Sequence, residues 1–220
     1  MIDVSLLASL LHSDDQDNHF YGVTVGVVTN NQDPEGLGRV KVRFPWLWDE
    51  QKNIGVDSHW ARVLTPMAGN NRGLYFLPEV EDEVLVAFEH GLAEFPYILG
   101  GLWNGKDKQP ENNNDGQNNK RTIKSRSGHI IRLDDSKGQE KIEIIDGSGK
   151  NTIVINTANN SITITANADI TIESLNGKLT LSGSGIEINS TKGVDIKARQ
   201  DMSLKAGPEL KINGGLVRIN

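Results

Sequence analysis

The stretch Gly185-Ile186-Glu187-Ile188-Asn189-Ser190-Thr191-Lys192-Gly193-Val194-Asp195-Ile196-Lys197 decides the fold of the C-terminal half. Two branched apolar residues stand one residue apart, a polar stretch follows, and eight positions later the unit begins again. Residues at i and i+2 of a strand share one face, and stretches rich in Asn, Gly, Ser, Thr and Lys make turns. Working outward, the same unit recurs as Ile142/Ile144, Ile153/Ile155, Ile162/Ile164, Ile170/Ile172, Leu179/Leu181, Ile186/Ile188, Val194/Ile196, Met202/Leu204, Leu210/Ile212 and Val217/Ile219. The first members lie 11, 9, 8, 9, 7, 8, 8, 8 and 7 residues apart. Self-similarity at a near-constant period predicts a stack of short β-rungs from Lys141 onward.

The texture changes near residue 105. All four Trp, all three Tyr and all five Phe precede that point, so only the first part can build an ordinary globular core. Residues 1–120 carry 9 Lys+Arg against 18 Asp+Glu, a net of −9, and residues 121–220 carry 14 against 11, a net of +3, which together give −6. With no cysteine, neither a disulfide framework nor a thiolate metal site is available.

Between Tyr21 and Trp103 the pattern is one of closely spaced strands. Tyr21–Thr29 is a β-branched run, and 30–38 is a loop by composition. Arg39–Phe44 alternates strictly, with Val40, Val42 and Phe44 on one face and Arg39, Lys41 and Arg43 on the other. Ser58–Leu64, Glu83–Glu89 and Phe95–Trp103 complete the set. Five or six short strands in about 85 residues predict an all-β, OB-fold-like closed barrel.

Here the residues resemble a known family. Asp33-Pro34-Glu35-Gly36-Leu37-Gly38-Arg39-Val40-Lys41-Val42-Arg43-Phe44-Pro45-Trp46-Leu47 is similar to the opening of the baseplate assembly protein V family of contractile phages, shared with the valine-glycine repeat spikes of type VI secretion. Trp60-Ala61-Arg62-Val63, Ala68–Gly73, Phe76-Leu77-Pro78, Glu83–Phe88 and Pro96–Gly105 resemble it further, in order. The resemblance implies a central spike with a β-rung array downstream. The domain reading is then 1–20 docking segment, 21–105 barrel, 106–121 polar linker and 122–220 triple-stranded β-helix spike.

One apolar pair per rung buries too little to offset the cost of ordering eight residues, so the rungs need partners on their edges. Three intertwined chains with the pairs on a common axis, or three successive rungs coiling within one chain, both supply them. Ten rungs make only about three coils of the second kind, and the resemblance implies the first, a homotrimer. The rung pairs from Ile142 to Ile212 are its expected core. The final rung, Leu216, Val217, Ile219 and Asn220, is the expected seat of a separate PAAR-like tip protein. Leu6, Leu7, Leu10 and Leu11, at helical spacing, are the expected contact with a separate hub or baseplate protein.

Candidate chemistry is thin. Asp57-Ser58-His59 are neighbours on alternating faces, poor geometry for a triad. Glu79, Glu81, Asp82 and Glu83 read as a solvated turn. His12, His19, His59, His90 and His129 never recur at ligand spacing, and no histidine lies in the last rung, so neither metal nor other cofactor is expected. Arg39, Lys41 and Arg43 with Trp46 and Trp48 resemble a nucleic-acid groove, but the acidic balance of this half opposes phosphate binding. Lys106–Lys120 reads as a mobile linker, too short to hold the lysozyme domain of some phage spikes. A carbohydrate-binding tailspike is the competing class, disfavoured because no aromatic residue follows Trp103. The expectation is a non-enzymatic spike at the end of a tail tube. It would be assembled in the cytoplasm without nucleic acid and driven transiently through a target membrane. Neither a signal peptide nor the roughly 18 apolar residues of a membrane helix is seen, and no toxin domain or fused hub domain is expected.

Overall fold

The computed structural model describes residues 19–49 and 54–219. Leu6, Leu7, Leu10, Leu11, His12 and Asn220 lie outside the described residues. The chain divides into two units, one ending at Asn167 and one beginning at Ala168.

In the first unit, β1 (Val23–Asn30), β2 (Lys41–Asp49), β3 (Ile54–Asp57), β4 (Arg62–Val63), β7 (Glu83–Phe88) and β8 (Pro96–Gly101) form one sheet in the order β3-β2-β1-β7-β8-β4. Pairing is antiparallel except for β4 with β8. The sheet closes on itself where Val40, at the entrance to β2, exchanges both backbone hydrogen bonds with Ala61 at 3.0 and 2.7 Å. A closed small barrel leaves few free edges and encloses a filled core.

The alternation read in β2 holds: Val40, Val42 and Phe44 are buried with Val28, Leu47, Val56, Ala61, Val84, Val86 and Ile98. Gly26 lies where β1 passes between β2 and β7. A Cβ there would meet Val42 Cβ at 3.2 Å and Val86 Cγ2 at 3.3 Å. Pro45 cannot donate a ladder hydrogen bond, and the β2–β3 register shifts between Arg43 and Trp48.

The span Ser58–Leu64 is not one strand. Ser58 receives the end of β3 and is fixed by Val42, whose N–H donates to Ser58 Oγ at 3.1 Å, while Ser58 Oγ donates to the His59 carbonyl at 2.6 Å. The chain then turns, so that Ala61 pairs with Val40 and Arg62–Val63 runs parallel to β8. A small hairpin, β5 (Ala68–Gly69) and β6 (Arg72–Gly73), stands off the barrel.

Five further strands make a meander in the same unit: β9 (Lys120–Lys124), β10 (Ile130–Asp134), β11 (Lys141–Ile145), β12 (Thr152–Asn156) and β13 (Ser161–Thr165), all antiparallel. Each connection carries the same two devices. A side chain at its start accepts a backbone N–H: Ser125 from His129 (3.1 Å), Asp134 from Ser136 (3.0 Å), Asp146 from Lys150 and Asn151 (both 3.1 Å), and Asn156 from Asn159 (3.2 Å). One residue then adopts the left-handed conformation, Gly128, Gly138, Gly149 and Asn160 in turn. These turns fix the register, and register decides which face each residue shows.

Among the described residues 168–219 no strand forms within the chain. The backbone instead bends at 175–177, 183–184, 191–192, 199–200, 207–208 and 215–216, at a period close to eight. Each unbent stretch between these bends holds one apolar pair: Leu179/Leu181, Ile186/Ile188, Val194/Ile196, Met202/Leu204 and Leu210/Ile212. Side chains two apart touch on the opposite face: Lys197 with Asp195 at 2.6 Å, Lys211 with Glu209 at 3.1 Å and Asn189 with Glu187 at 2.7 Å. That is the period-two geometry of a strand without its neighbours.

The side chains expected to form the core of a three-copy shaft stand bare in the single copy. In the second unit Ile170, Ile172, Leu179, Leu181, Ile186, Ile188, Val194, Ile196, Met202, Leu204, Leu210 and Ile212 are all exposed instead of buried, between 49% and 67%. Exposure is highest at the second members of the pairs: Ile172, Ile188 and Ile196 (67% each), Leu204 (66%) and Leu181 (65%). The physical reason is the absence of a neighbouring strand among the described residues: a rung with no ladder on either edge has no side chains laid across its apolar face.

Candidate functional site: an apolar face without a partner

The meander is polarised. Register aligns Ile123 with Ile131, Ile131 with Ile144, Leu133 with Ile142, Ile144 with Ile153, Ile142 with Ile155, Ile153 with Ile164 and Ile155 with Ile162. Nine large aliphatic side chains therefore share one face, each 40–70% exposed. Ile142, Ile144, Ile153, Ile155, Ile162 and Ile164, expected in the core of a three-copy shaft, are thus bare in a single copy: the meander is one sheet thick, and among the described residues no second layer packs on this side. Sequence reasoning misses the three that lie before Lys141, namely Ile123, Ile131 and Leu133. Ile131/Leu133 carries the same i, i+2 signal, one hairpin upstream of where the repeat begins.

The opposite face holds the better-buried groups. Glu143 is 8% and Asp134 9% exposed. Arg132 reaches Glu143 at 3.3 Å and Glu111 at 2.7 Å, Lys141 reaches Glu143 at 3.0 Å, and Thr122 donates to Glu111 at 2.9 Å. Burial pushes the Glu111 carboxyl up, but the Thr122 and Arg132 hydrogen bonds and the Arg132 and Lys120 charges outweigh it and hold it below the usual range. The segment 106–119, expected to be a mobile linker, is thus tied to the sheet through Glu111. It is also pinned to the barrel where Asn104 Oδ1 accepts from Lys106 and Asp107 (2.8 and 2.6 Å) and Asn104 Nδ2 donates to Glu83 (3.3 Å). Arg126 in the first meander turn pairs with Glu79 of the barrel at 2.9 Å.

A sheet whose polar face is covered and whose aliphatic face is bare is half of an interface. The second unit repeats the condition in its twelve exposed pair residues, and Leu216, Val217 and Ile219 of the last rung are exposed as well.

The other candidates resolve into structural roles. The Ser58 hydroxyl is committed to two backbone partners, and His59 is exposed beside it. Among the acidic residues, Asp82 Oδ2 accepts the Glu79 N–H at 2.8 Å and closes a tight turn, with Glu81 left-handed. Among the described residues no group of three His, Cys, Asp or Glu side chains gathers to hold a metal. The basic face of β2 is engaged: Arg39 pairs with Asp33 at 2.8 Å and Glu35 at 3.2 Å, while Arg39 and Lys41 lie 6.0 and 5.4 Å from the Trp60 ring centre. Trp46 instead stacks on Phe20 and donates to Thr24 at 2.6 Å. Among the described residues no helix is long and apolar enough to cross a membrane.

Comparison with known proteins bears on the barrel. Residues 24–103 match the family described as the type VI secretion system/phage-baseplate injector OB domain. This segment is similar to an injector OB domain. It includes nearly the whole sheet from β1 to β8 and the loop from Asp33 to Arg39, the residues that carry the resemblance. The chain is similar to the type VI secretion system spike protein VgrG1a of Pseudomonas aeruginosa, 33% identical over 132 residues, which are 57% of this chain and 20% of that protein. It is similar also to VgrG1c of the same organism, 34% over 114 residues, 49% of this chain and 16% of the relative. The actin cross-linking toxin VgrG1 of Vibrio cholerae is 35% identical over 74 residues, 33% of this chain and 7% of that protein. The chain thus spans about a fifth or less of the curated relatives it matches. The fold is all-β, and the chain is similar to spike proteins and, over residues 24–103, to the injector OB domain.

Proposed function

We propose that the chain is a structural spike of a contractile injection machine, a phage tail or a phage-like particle, and that three copies complete it. The observation that carries this reading is the bare aliphatic face of β9–β13 together with the unpaired, eight-residue repeat that follows. Three copies bring equivalent rungs together on one axis, let each strand edge pair with a neighbour, and bury Ile142 to Ile212 in a shared core. The exposure of Ile172, Leu181 and Leu204 in one copy is what such an assembly would remove. Outward Lys, Asp, Asn and Thr keep the shaft wet and discourage pairing with foreign strands.

In this reading the shaft is a triple-stranded β-helix pushed through the target envelope when the machine fires. Continuous ladders between chains resist local unfolding under that load. The injector OB domain holds the spike to the tube end, a hub or baseplate protein meets Leu6, Leu7, Leu10 and Leu11, and the Leu216, Val217, Ile219 and Asn220 rung seats a tip protein. Its role is mechanical, not catalytic. The particle is assembled in the cytoplasm and acts on another cell.

Solution mass tests the assembly: the purified chain of 24.1 kDa is expected at three times that value. A folded single copy at micromolar concentration overturns the reading. Deleting residues 120–220 should leave a folded barrel and abolish delivery; delivery by truncated particles would remove the puncturing role.

A further inference from the structure

Trp103 follows the last barrel strand and is 71% exposed, and among the described residues no ring, cation or hydrogen-bond partner covers its indole. With residues of the segment 109–120 it lines a cleft of about 710 Å³. The volume falls within the roughly 300–1,000 Å³ common to small-ligand sites. Gln109, Asn112, Asn114 and Asn119 line it, and among the described residues none of their side-chain amides has a partner. Each amide offers both a donor and an acceptor, the pattern that adjacent sugar hydroxyls match. An indole face offers a flat apolar surface to the C–H face of a pyranose ring.

Charge narrows the ligand further. The carboxylate of Glu111 in the cleft is held by Arg132 and Thr122, Asp115 accepts from the Gln117 N–H at 3.1 Å, and Lys120 faces Glu111 at 3.9 Å. Among the described lining residues Lys120 is the one cation, set against two carboxylates, Glu111 and Asp115, so a nucleotide that stacked on Trp103 would meet a net negative wall.

We propose that this cleft binds a neutral oligosaccharide of two or three pyranose rings, with Trp103 as the stacking platform and the amides of Gln109, Asn112, Asn114 and Asn119 as hydroxyl partners. Such chemistry occurs in the glycan strands of peptidoglycan and in the O-polysaccharide of an outer membrane. The site would let the collar between barrel and shaft engage the envelope it crosses. That role rests on the spike reading, whereas the binding itself uses neither the apolar face nor the repeat.

The test uses the full-length chain. Acrylamide quenching of wild type against Trp103→Phe should show one readily quenched tryptophan that the variant lacks; a Trp103 shielded in the purified protein overturns the proposal. Calorimetric titration with N-acetylchitotriose, lipid-free O-polysaccharide and oligothymidylate should show saturable binding to at least one glycan and none to the oligonucleotide. The two glycan arms distinguish cell-wall strand from surface polysaccharide. Trp103→Ala should weaken that binding at least tenfold and Trp103→Phe by less, while Asn112→Ala with Asn114→Ala should weaken it with the indole intact. No binding to either glycan up to about 10 mM, or equal binding by Trp103→Ala, overturns it.

Discussion

Glu111 and Arg132, 21 residues apart, meet in a two-point ion pair: Nε and Nη2 of Arg132 donate to Glu111 Oε1 at 2.8 and 2.7 Å. Through it the stretch that leaves the barrel is clasped to the central strands of the meander. Glu111→Gln keeps the shape and removes the charge, and Glu111→Ala removes both. With a partly buried arginine left facing Glu143 alone, a loss of about 1–3 kcal/mol is expected for Glu111→Ala. Hydrogen exchange should rise in residues 106–119 and leave β1–β8 unchanged. Uniform protection across 106–119 in the variant would show that the clasp does not hold the segment.

The same pair sets a pH dependence. Since the folded Glu111 carboxyl titrates below its ordinary value, the unfolded state binds more protons in the acid range. The clasp therefore contributes fully above the ordinary carboxylate range, about pH 4.3, and is lost as pH falls through the lowered value. A thermal melt series from pH 7 to pH 3 should show wild type losing its advantage over Glu111→Gln. A difference that stayed constant with pH would assign the stability to something other than this carboxylate.

Asp33 and Arg39 close the loop before β2 in a comparable way. Asp33 Oδ2 accepts from the Leu37 and Arg39 N–H groups at 3.0 and 3.3 Å and from Arg39 Nε at 2.8 Å, and Oδ1 accepts from Arg39 Nη2 at 2.8 Å and the Glu35 N–H at 3.1 Å. The Arg39 fork, helped by these N–H groups, holds the Asp33 carboxyl far below its usual range. Arg39→Lys is expected to fail as a replacement, because an ammonium cannot reproduce the planar two-point contact. Both Arg39→Lys and Asp33→Asn should lower the melting temperature of the barrel by several degrees at pH 7. An Arg39→Lys variant that melted with wild type would show that charge alone suffices.

How much of this was legible follows from the range of the signals. The rung pairs and the inward Val40, Val42 and Phe44 are period-two patterns, visible in any ten residues. The barrel strands from Tyr21 to Phe44 and from Glu83 to Trp103 were legible for the same reason. The turn at Ser58–Trp60 was not, because Ser58 is fixed by Val42, sixteen positions earlier. Glu111 sits among polar residues that look like any linker, and its partner lies on a strand two turns away. The bare face needed register: an i, i+2 pair reveals which side chains agree with each other, not whether anything covers them. Ile172, Leu181 and Leu204 show the limit, since their pairs mark a face correctly while one chain leaves that face exposed.

Gly26 tests how tightly the barrel is filled. Its missing Cβ would stand 3.2 Å from Val42 Cβ and 3.3 Å from Val86 Cγ2, both on buried residues that cannot swing aside. Gly26→Val should cost roughly 1–3 kcal/mol by overpacking, with Gly26→Ala less harmful. Chemical denaturation followed by tryptophan fluorescence measures both, because every tryptophan precedes residue 105. A Gly26→Val variant as stable as wild type would mean that the β1 interior has room the structure does not show.

The apolar face makes the sharpest separation between what one copy needs and what an assembly needs. Ile155 is 41% exposed at the middle of the row, flanked by Ile142 and Ile162 in register, whereas Thr163 lies on the other face of β13 and is also exposed. Within one chain, Ile155→Asp disturbs the meander but touches nothing in the barrel core, and should leave barrel fluorescence and its melt near wild type. In a threefold assembly it deletes three aliphatic side chains from the core, roughly 1.5–3 kcal/mol each, and places three carboxylates together where water is excluded. The expected result is a fall in solution mass from three copies to one without loss of the barrel, while Thr163→Asp leaves the mass unchanged. Equal masses for wild type and Ile155→Asp would place the contact between copies elsewhere than on this face.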